Sequence, residues 1–393
     1  MTMAAAMQSR TAEAPARSKA GRIAHVDIVS DPGEAEPVWR ALEDPDHLST
    51  PYQRFDLLSP WLRLAGGHEG ARPFIVIARD AEHRPLALLP LVLRQSHGVR
   101  TASFMGGKHM TFNMGLWNAE FAAQAAASDL DALFAPLREH ADVLALTQQP
   151  LRWHDQQNPF ALLRQQSSIN GCPLLVMEPG GPPASRISNS FRRRLKSKEK
   201  KLQALAGYRY HLATTDPDVT RLLDWFFRVK PARMAEQKLP NVFAEPGVEP
   251  FVRCACLSPR GDGRIIDIHA LECDEEVIAI FAGVADGQRF SMMFNTYTMS
   301  EHARYSPGLI LMRYIIDRYA ERGYYSLDLG IGSDEYKRMF CKDDEDIFDS
   351  FVPLTSRGTL AAMAMSSLSH GKRLVKQNQM LFDLAQRLRR AFG

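Results

Sequence analysis

One segment, Tyr305 to Lys337, constrains the fold of this chain more than any other; it reads YSPGLILMRYIIDRYAERGYYSLDLGIGSDEYK. Pro307 is favoured in the first turn of a helix, and apolar residues follow at three- and four-residue spacing. Gly323 ends this predicted helix, and a short apolar strand over 325–329 leads into a glycine-rich loop. The N-terminus of the helix presents free N–H groups that suit a phosphate. The alternative is a helix that packs on a sheet and whose start contacts only water.

Length and composition describe an ordinary water-soluble chain. Its 393 residues suggest two or three domains, with 45% hydrophobic and 24% charged residues. The net charge of +3 is too small for a protein that coats nucleic acid, so no DNA partner is expected. The five cysteines are scattered without the spacing of a metal site, which predicts free thiols in a reducing compartment and no metal: Cys172, Cys254, Cys256, Cys273 and Cys341.

The N-terminus predicts a disordered tail, and an organelle transit peptide is the alternative. Residues 1–22 are rich in Ala, Ser and Arg and lack the apolar core of a signal peptide. No apolar run in the sequence is long enough to span a bilayer. A cytoplasmic location is therefore expected.

The chain divides into two halves with the same predicted succession of elements. Each half has a helical entry, antiparallel hairpins, and a helix that leads into a short strand, which predicts an α+β (mixed α/β) fold with two mostly antiparallel mixed sheets flanked by helices. A Pro/Gly cluster over 178–183 marks the linker. The predicted parts are a tail (1–22), an N-terminal domain (23–177), a linker (178–187), a C-terminal domain (188–356) and a helical extension (357–393).

The second half contains the clearer predicted elements. Three hairpin-connected strands are expected over 264–271, 277–284 and 289–297, and a helix from Asp216 should end or kink at Pro231. The C-terminal extension has a leucine stripe and a net charge of +5 over 372–390; it either packs on its own domain or lies on a membrane or partner. The stripe consists of Leu374, Leu381, Leu384 and Leu388.

A strongly basic helix is predicted over 191–201. Seven basic residues stand against Glu199 alone, which gives a net charge of +6 over 192–201. Such a helix favours an anionic partner such as cofactor phosphates, an acidic polymer or RNA, and the alternative is a solvated face. The aromatic residues expected on a single-strand nucleic-acid surface are missing from it.

Five polar residues near the predicted strands are candidates for chemistry. Asp267 and His269 alternate on one strand and share a face, where they could act as a general base; an exposed face or a core histidine is the alternative. Asp328 lies in an apolar strand and must find a partner or shift its pKa. Tyr336 is placed to protonate a leaving group and Lys337 to neutralise a phosphate or carboxylate, unless both only pack the turn.

Four stretches resemble a known family: SPGLILMRYIID, GYYSLDLGIG and DEYKRMF, with FRRRLKSKEKKL upstream. They are similar to the acetyltransferase family associated with bacterial cellulose biosynthesis (CelD-like). That family is a branch of the GNAT superfamily and is related to the FemABX aminoacyl transferases. TPYQRFDLLSPWL and PFIVIARDAEHRPLALLPLVL are similar to the family's N-terminal part, so the likeness covers roughly residues 25–355.

The resemblance implies tandem GNAT-like domains that transfer an acyl group directly to an amine or hydroxyl. The co-substrate would be acetyl-CoA or a longer acyl-CoA, and the acceptor a small molecule or polysaccharide precursor. Backbone N–H groups of 289–297 would hold the oxyanion, and Tyr336 would protonate the thiolate. The base would come from Asp267, His269 or Asp328. The implied donor-binding residues are Ser306, Pro307, Gly308, Leu309, Ile310 and Lys337.

The donor loop departs from the usual GNAT pattern Gln/Arg-x-x-Gly-x-Gly/Ala. Tyr305 and Ile310 occupy the first and last of these positions. An aminoacyl-tRNA or acyl-carrier-protein donor is therefore an alternative to acyl-CoA. Three functions follow: an acyltransferase with an active second domain, a FemABX-type aminoacyl transferase acting on an envelope precursor, and a catalytically degenerate GNAT pair that serves as a binding module.

Overall fold

The computed structural model describes residues 22–178, 180–261, 263–332 and 334–377. Up to residue 167 the elements are β1 (His25–Val29), α1 (Pro32–Leu42), α2 (Phe55–Leu64), β2 (Arg72–Arg79), β3 (Pro85–Ser96), β4 (Val99–Phe104), β5 (Leu116–Trp117), α3 (Ala119–Ala123), α4 (Ala127–Phe134), β6 (Val143–Pro150), β7 (Arg152–Trp153), β8 (Gln156–Gln157) and β9 (Gln166–Ser167).

The remaining elements follow residue 171. They are β10 (Cys172–Val176), α5 (Pro183–Arg186), α6 (Asn189–Leu202), β11 (Arg209–Leu212), α7 (Asp216–Glu236), α8 (Val248–Leu257), β12 (Pro259–Arg260), β13 (Gly263–Arg264), β14 (Asp267–Glu272), β15 (Val277–Ala285), β16 (Arg289–Tyr297), α9 (Pro307–Glu321), β17 (Ser326–Asp328), α10 (Glu335–Arg338), β18 (Asp343–Glu345), β19 (Ile347–Pro353) and α11 (Ser356–Gln377).

Two mixed sheets form the framework of the molecule. The first has the strand order β1-β2-β3-β4-β6-β19-β9, and the second has the order β11-β14-β15-β16-β17-β10-β18. Each sheet contains one parallel pair, β4 with β6 and β16 with β17, and the other pairs in them are antiparallel. A helical crossover connects the strands of each parallel pair, as the sequence predicts. The predicted α+β (mixed α/β) fold, with two mostly antiparallel mixed sheets flanked by helices, is confirmed.

The second sheet is covered on both faces. Helices α6 and α9 pack one face with the apolar side chains of a separate core, among them Leu195, Phe281 and Ile315. Helices α7 and α8 cover the other face, whose core is continuous with that of the first domain. The three hairpin strands lie close to their predicted bounds because local turns and alternation specify them.

The two sheets exchange strands across the predicted linker, which sequence order did not indicate. Strand β10, before the linker, pairs with β17 and β18 of the second sheet. Strand β19, near the end of the second half, pairs with β6 of the first sheet. Both sheets therefore gain interior pairing from the other half of the chain, and the predicted units 23–177 and 188–356 do not coincide with the sheets.

Helix α7 continues through Pro231 to Glu236, so the predicted end at this proline is wrong. A proline removes one backbone hydrogen bond, and tertiary contacts can offset that loss. Here the Arg233 guanidinium lies 3.5 Å from the centre of the Tyr297 ring, and its Nη1 lies 3.5 Å from Thr298 O. These contacts hold the last turns of α7 beside the end of β16.

The two ends of the chain are described only in part. The tail predicted over 1–22 lies outside the described residues except for Arg22, which pairs with Asp129. The described part of helix α11 packs on β19 and β6. Leu374, the only leucine of the predicted stripe among the described residues, is 50% exposed. Leu381, Leu384 and Leu388 of the predicted stripe lie outside the described residues. In the described part of the chain, no helix is both long and apolar enough to cross a membrane.

Candidate functional site

The N-terminus of α9 forms a half-buried corner of the second domain, which we call the α9 corner (residues 306–310). Ser306 has a left-handed backbone (φ 58°), and its side chain does not cap the helix. Pro307 has no N–H, and the amides of Leu309 and Ile310 donate to Ser306 O at 3.0 and 3.2 Å. The Gly308 amide has no partner among the described residues, which leaves it available at the positive end of the helix dipole.

The basic helix α6 is fixed against α9. Lys198 Nζ donates to Ser306 Oγ at 2.7 Å, so an ammonium group adjoins the α9 corner. Arg192 pairs with Asp317 at 2.6 Å further along α9. Glu199 is buried and binds Arg313 at 2.7 Å. Sequence analysis missed the role of Lys198 because the contact joins residues 108 positions apart.

Strand β16 separates from β17 beside the α9 corner. The two strands pair only from Arg289 to Ser291, whereas β16 continues to Tyr297, which leaves a gap between them. The β15–β16 ladder shifts register between Ala282 and Gly283, so Met293 is an extra bulged residue. A Cβ at Gly283 would lie 2.3 Å from Ser291 O, so the glycine is required there. The gap exposes a backbone edge of β16 on which a carbonyl oxygen could bind.

The first domain closes one side of this gap. Thr111 Oγ1 lies 3.5 Å from Met292 O. Gly330, at the end of β17, has φ 70°, and a Cβ there would be 2.9 Å from the same Met292 O. These contacts of Thr111 and Gly330 with Met292 O fix the width of the gap. They also leave no space for a larger residue at position 330.

Tyr336 is the predicted catalytic residue that the structure brings to the gap. Asn295 Nδ2 donates to its hydroxyl at 3.2 Å. Burial raises the pKa of Tyr336 well above its ordinary value, which keeps the hydroxyl protonated at neutral pH. A protonated phenol beside β16 is suited to donate a proton.

Lys337 is buried, and its position does not support the predicted phosphate contact. Its Nζ donates to Gly330 O at 3.1 Å and to Ile331 O at 3.0 Å. Burial lowers the pKa of this amine. The lysine thus holds the glycine loop after β17 in place instead of facing the α9 corner.

Asp328 finds the partners that an acid in an apolar strand needs. Its Oδ2 accepts from Arg289 Nε at 2.9 Å and from Ser291 Oγ, and its Oδ1 accepts from the Gly330 amide at 3.0 Å. Burial acts to lower the pKa of Arg289, but the carboxylates of Asp328 and Glu345 outweigh it and raise that pKa. The geometry gives Asp328 a structural role instead of the predicted proton transfer.

Asp267 and His269 share a face as predicted, but α9 covers that face. His269 is fully buried, with Tyr210 Oη 3.0 Å from Nδ1 and Tyr319 Oη 3.1 Å from Nε2. Burial lowers the pKa of His269 to about 3 and raises the pKa of Asp267. Tyr319 also donates to Asp267 at 3.2 Å. The pair forms a core hydrogen-bond network and does not reach the gap.

The corresponding helix start in the first domain is closed. Asp129 in the first turn of α4 accepts from the Ala126 amide at 3.0 Å and pairs with Arg22 at 3.0 Å. The gap beyond the β4–β6 pair is occupied by the preceding loop, where Asn113 N donates to Gln148 O at 2.9 Å. A carboxylate at the helix start and a filled gap leave no room there for a phosphate-bearing ligand.

A further cluster of polar side chains lies at the domain boundary, and its members are close enough together to hold a metal ion. They are Glu69, His109 and Glu245. One ligand atom from each lies within 4.8 Å of the others. Trp61 Nε1 donates to His109 Nδ1 at 2.9 Å, so the ring proton lies on Nε2, which faces Glu245 at 3.3 Å. Lys108 also pairs with Glu245 at 2.7 Å. This hydrogen-bonding pattern is that of an ion-pair network, because a metal would need the protonated nitrogen.

Part of the second domain is similar to a known protein family. Residues 189–338 match a family model described as "Acetyltransferase (GNAT) domain". This part of the chain is therefore similar to GNAT-type acetyltransferase domains. A search of curated protein sequences found no match.

Solved structures show the same fold over most of the chain. FemX matches with a TM-score of 0.55 at 8% identity, covering 86% of this chain and 100% of FemX. The C-terminal domain of a putative lysylphosphatidylglycerol synthetase from Agrobacterium fabrum matches with a TM-score of 0.50 at 12% identity, covering 86% and 97%. L-PGS from Bacillus licheniformis matches with a TM-score of 0.50 at 12% identity, covering 90% and 99%. At these identities the likeness describes the fold alone.

Proposed function

We propose that this chain is an acyltransferase whose second domain binds an acyl thioester such as acetyl-CoA or a longer acyl-CoA at the α9 corner. The observation that carries the proposal is the open helix start, with the free Gly308 amide and Lys198, beside the gap between β16 and β17. The helix dipole and the ammonium both favour a phosphate. The thioester arm would then extend along the unpaired edge of β16.

The residues of the gap suit direct transfer. A backbone N–H at the bulge near Met293 would stabilise the oxyanion that forms when the acceptor attacks the thioester carbonyl. Tyr336 would give its proton to the departing thiolate and recover one from the attacking amine or hydroxyl. The new C–N or C–O bond replaces the C–S bond, and the products are the acylated acceptor and a free thiol.

The first domain would have a supporting role in this scheme. Its own helix start is neutralised by Asp129, whereas Thr111 contacts Met292 O at the active gap. We propose that the first domain fixes the width of the gap and lines the acceptor side. The acceptor is proposed to be a small molecule or polysaccharide precursor in the cytoplasm, in keeping with the CelD-like sequence resemblance.

Thiol release tests the proposal directly. The protein is incubated with acetyl-CoA and a panel of amines and amino sugars, and free thiol is followed by a colorimetric reagent. We expect Tyr336→Phe to lower kcat by about 100-fold, the usual effect of losing a general acid, with little change in donor affinity. Tyr325→Phe, at an exposed tyrosine, is the matched control.

Two results would redirect the assignment. If acetyl-CoA and longer acyl-CoAs neither shift the thermal midpoint nor release thiol, while an aminoacyl-tRNA transfers its amino acid, the FemABX-type alternative replaces this one. If Tyr336→Phe leaves cellular function intact, the chain acts as a binding module.

A further inference from the structure

The solvent side of α6 is a cationic surface whose charges are not used within the fold. We call it the α6 cationic face; its exposed members are Arg193, Arg194, Lys196, Lys200 and Lys201. In the part of the chain that the structure describes, none of these five forms an ion pair, whereas Arg192 and Glu199 of the same helix do. Lys196 and Lys200 lie one turn apart and repel each other, which disfavours the helix on its own.

This surface leads directly to the α9 corner. Lys198, which contacts Ser306 Oγ, lies four residues after Arg194 and three before Lys201. Residues at these spacings share one edge of a helix, so the three cations form a stripe whose middle member contacts the corner. Helix α6 has 14 residues and is therefore about 21 Å long.

The corner itself offers little for a pyrophosphate. Pro307 lacks an N–H, and the amides of Leu309 and Ile310 already donate to Ser306 O. In the described chain, three donors at this point remain for a ligand: the Gly308 amide, the Lys198 ammonium and the Ser306 hydroxyl, which accepts from Lys198 and keeps its own proton. This small set suits the single phosphodiester of a phosphopantetheine arm better than the two linked phosphates of CoA.

We propose that the acyl group arrives on the phosphopantetheine arm of an acidic carrier protein, whose acidic helix docks on the α6 cationic face. The proposal rests on the proposed acyltransfer at the α9 corner and names its donor. Charge complementarity steers the carrier to the surface, and the phosphodiester then binds beside Lys198 and Gly308. An RNA partner fits less well because the exposed side of α6 carries no aromatic residue for base stacking.

Binding measurements test the docking independently of the acceptor. The probe is a purified acyl carrier protein bearing acetyl-phosphopantetheine and a fluorescent label, titrated with the full-length chain, and acetyl-CoA binding is measured in parallel by calorimetry. The test variant is Arg193→Glu/Lys196→Glu/Lys200→Glu. The matched control is Arg63→Glu/Arg72→Glu/Arg138→Glu, which makes the same charge change at exposed first-domain residues.

We expect the α6 variant to bind the carrier at least about tenfold more weakly, because three attractive contacts become repulsive. In this variant, the ratio of carrier affinity to acetyl-CoA affinity should fall by the same factor. The control variant should match the wild type in its affinity for each of the two ligands. Wild-type carrier binding should weaken steeply with salt.

Three outcomes would overturn the inference. If the wild type binds acetyl-CoA but not the carrier, or if the α6 variant and the control bind the carrier equally, the cationic face is not a carrier site and the proposed function stands. If the α6 variant loses binding of a tRNA mixture while retaining the carrier, the face binds RNA instead. If neither donor binds the wild type at all, both this inference and the proposed function are wrong.

Discussion

The buried ion pair between Arg313 of α9 and Glu199 of α6 fixes the basic helix in place, and its removal has a large expected cost. The two side chains are only 6% and 4% exposed, and their charged atoms are 2.7 Å apart. Tyr208 Oη also donates to Glu199 at 3.1 Å. Glu199→Ala leaves the Arg313 guanidinium buried without its counter-charge. Breaking a buried pair in this way costs about 3–5 kcal/mol of unfolding free energy.

The matched control uses an exposed ion pair. Glu301→Ala removes the partner of Arg304, and those side chains are 69% and 62% exposed. Such a pair contributes about 0–1 kcal/mol, because water screens both charges. Urea unfolding of the wild type and both variants, followed by tryptophan fluorescence, gives the comparison. Adding Arg313→Met to Glu199→Ala should recover part of the loss, because the uncompensated charge is then gone.

A small effect would refute the reasoning. If Glu199→Ala lowers the unfolding free energy by no more than Glu301→Ala does, the pair is not buried in solution. Helix α6 would then not be held against α9, and the position of Lys198 at the α9 corner would lose its support.

Two further substitutions and one pH series test other parts of the account. Gly330→Ala should destabilise by about 1–3 kcal/mol in urea unfolding, because its φ of 70° and the nearby Met292 O exclude a Cβ; Gly67→Ala, in open space, should not. Asp328→Asn should cost several kcal/mol by removing one of the two carboxylates that neutralise buried Arg289, the other being Glu345, and an unchanged urea midpoint would contradict its role. The pKa of His269 is about 3 in the folded state and 6.5 ordinarily. Between these two pH values, the unfolded state therefore binds one proton at this residue that the folded state does not. The contribution of His269 to the free energy of unfolding should therefore be at its full value above pH 6.5 and fall by about 1.4 kcal/mol per pH unit below it. His269→Gln should remove this slope.

Local features of the second domain were predictable from sequence. The α9 corner and the hairpin strands follow from proline, glycine and apolar spacing, which act within a few residues. The requirement that Asp328 find a partner also followed from its place in an apolar strand. Its partner Arg289 was not identified, because the pairing of β16 with β17 depends on the crossover through α9.

Contacts between distant parts of the chain were not predictable in this way. The exchange of β10 and β19 between sheets depends on which edges are free once both domains fold. Asp267 and His269 do share a strand face, but alternation alone does not say that α9 covers it. The continuation of α7 through Pro231 depends on contacts with β16, 64 and more residues later. These tertiary contacts turned two predicted catalytic residues into core residues and brought Arg233 to the end of β16.

Calorimetric titration of acetyl-CoA into the wild type, Gly308→Glu and Ser128→Glu tests the central claim most directly. A Cβ at Gly308 would make only ordinary contact, 3.6 Å from Tyr297, so the first variant should fold. Its carboxylate should repel the phosphate and weaken binding by at least about tenfold. Ser128 occupies the corresponding second position of α4, where a carboxylate should leave binding unchanged. Equal binding by Gly308→Glu and the wild type would contradict a donor site at the α9 corner, as would a loss of binding in Ser128→Glu alone.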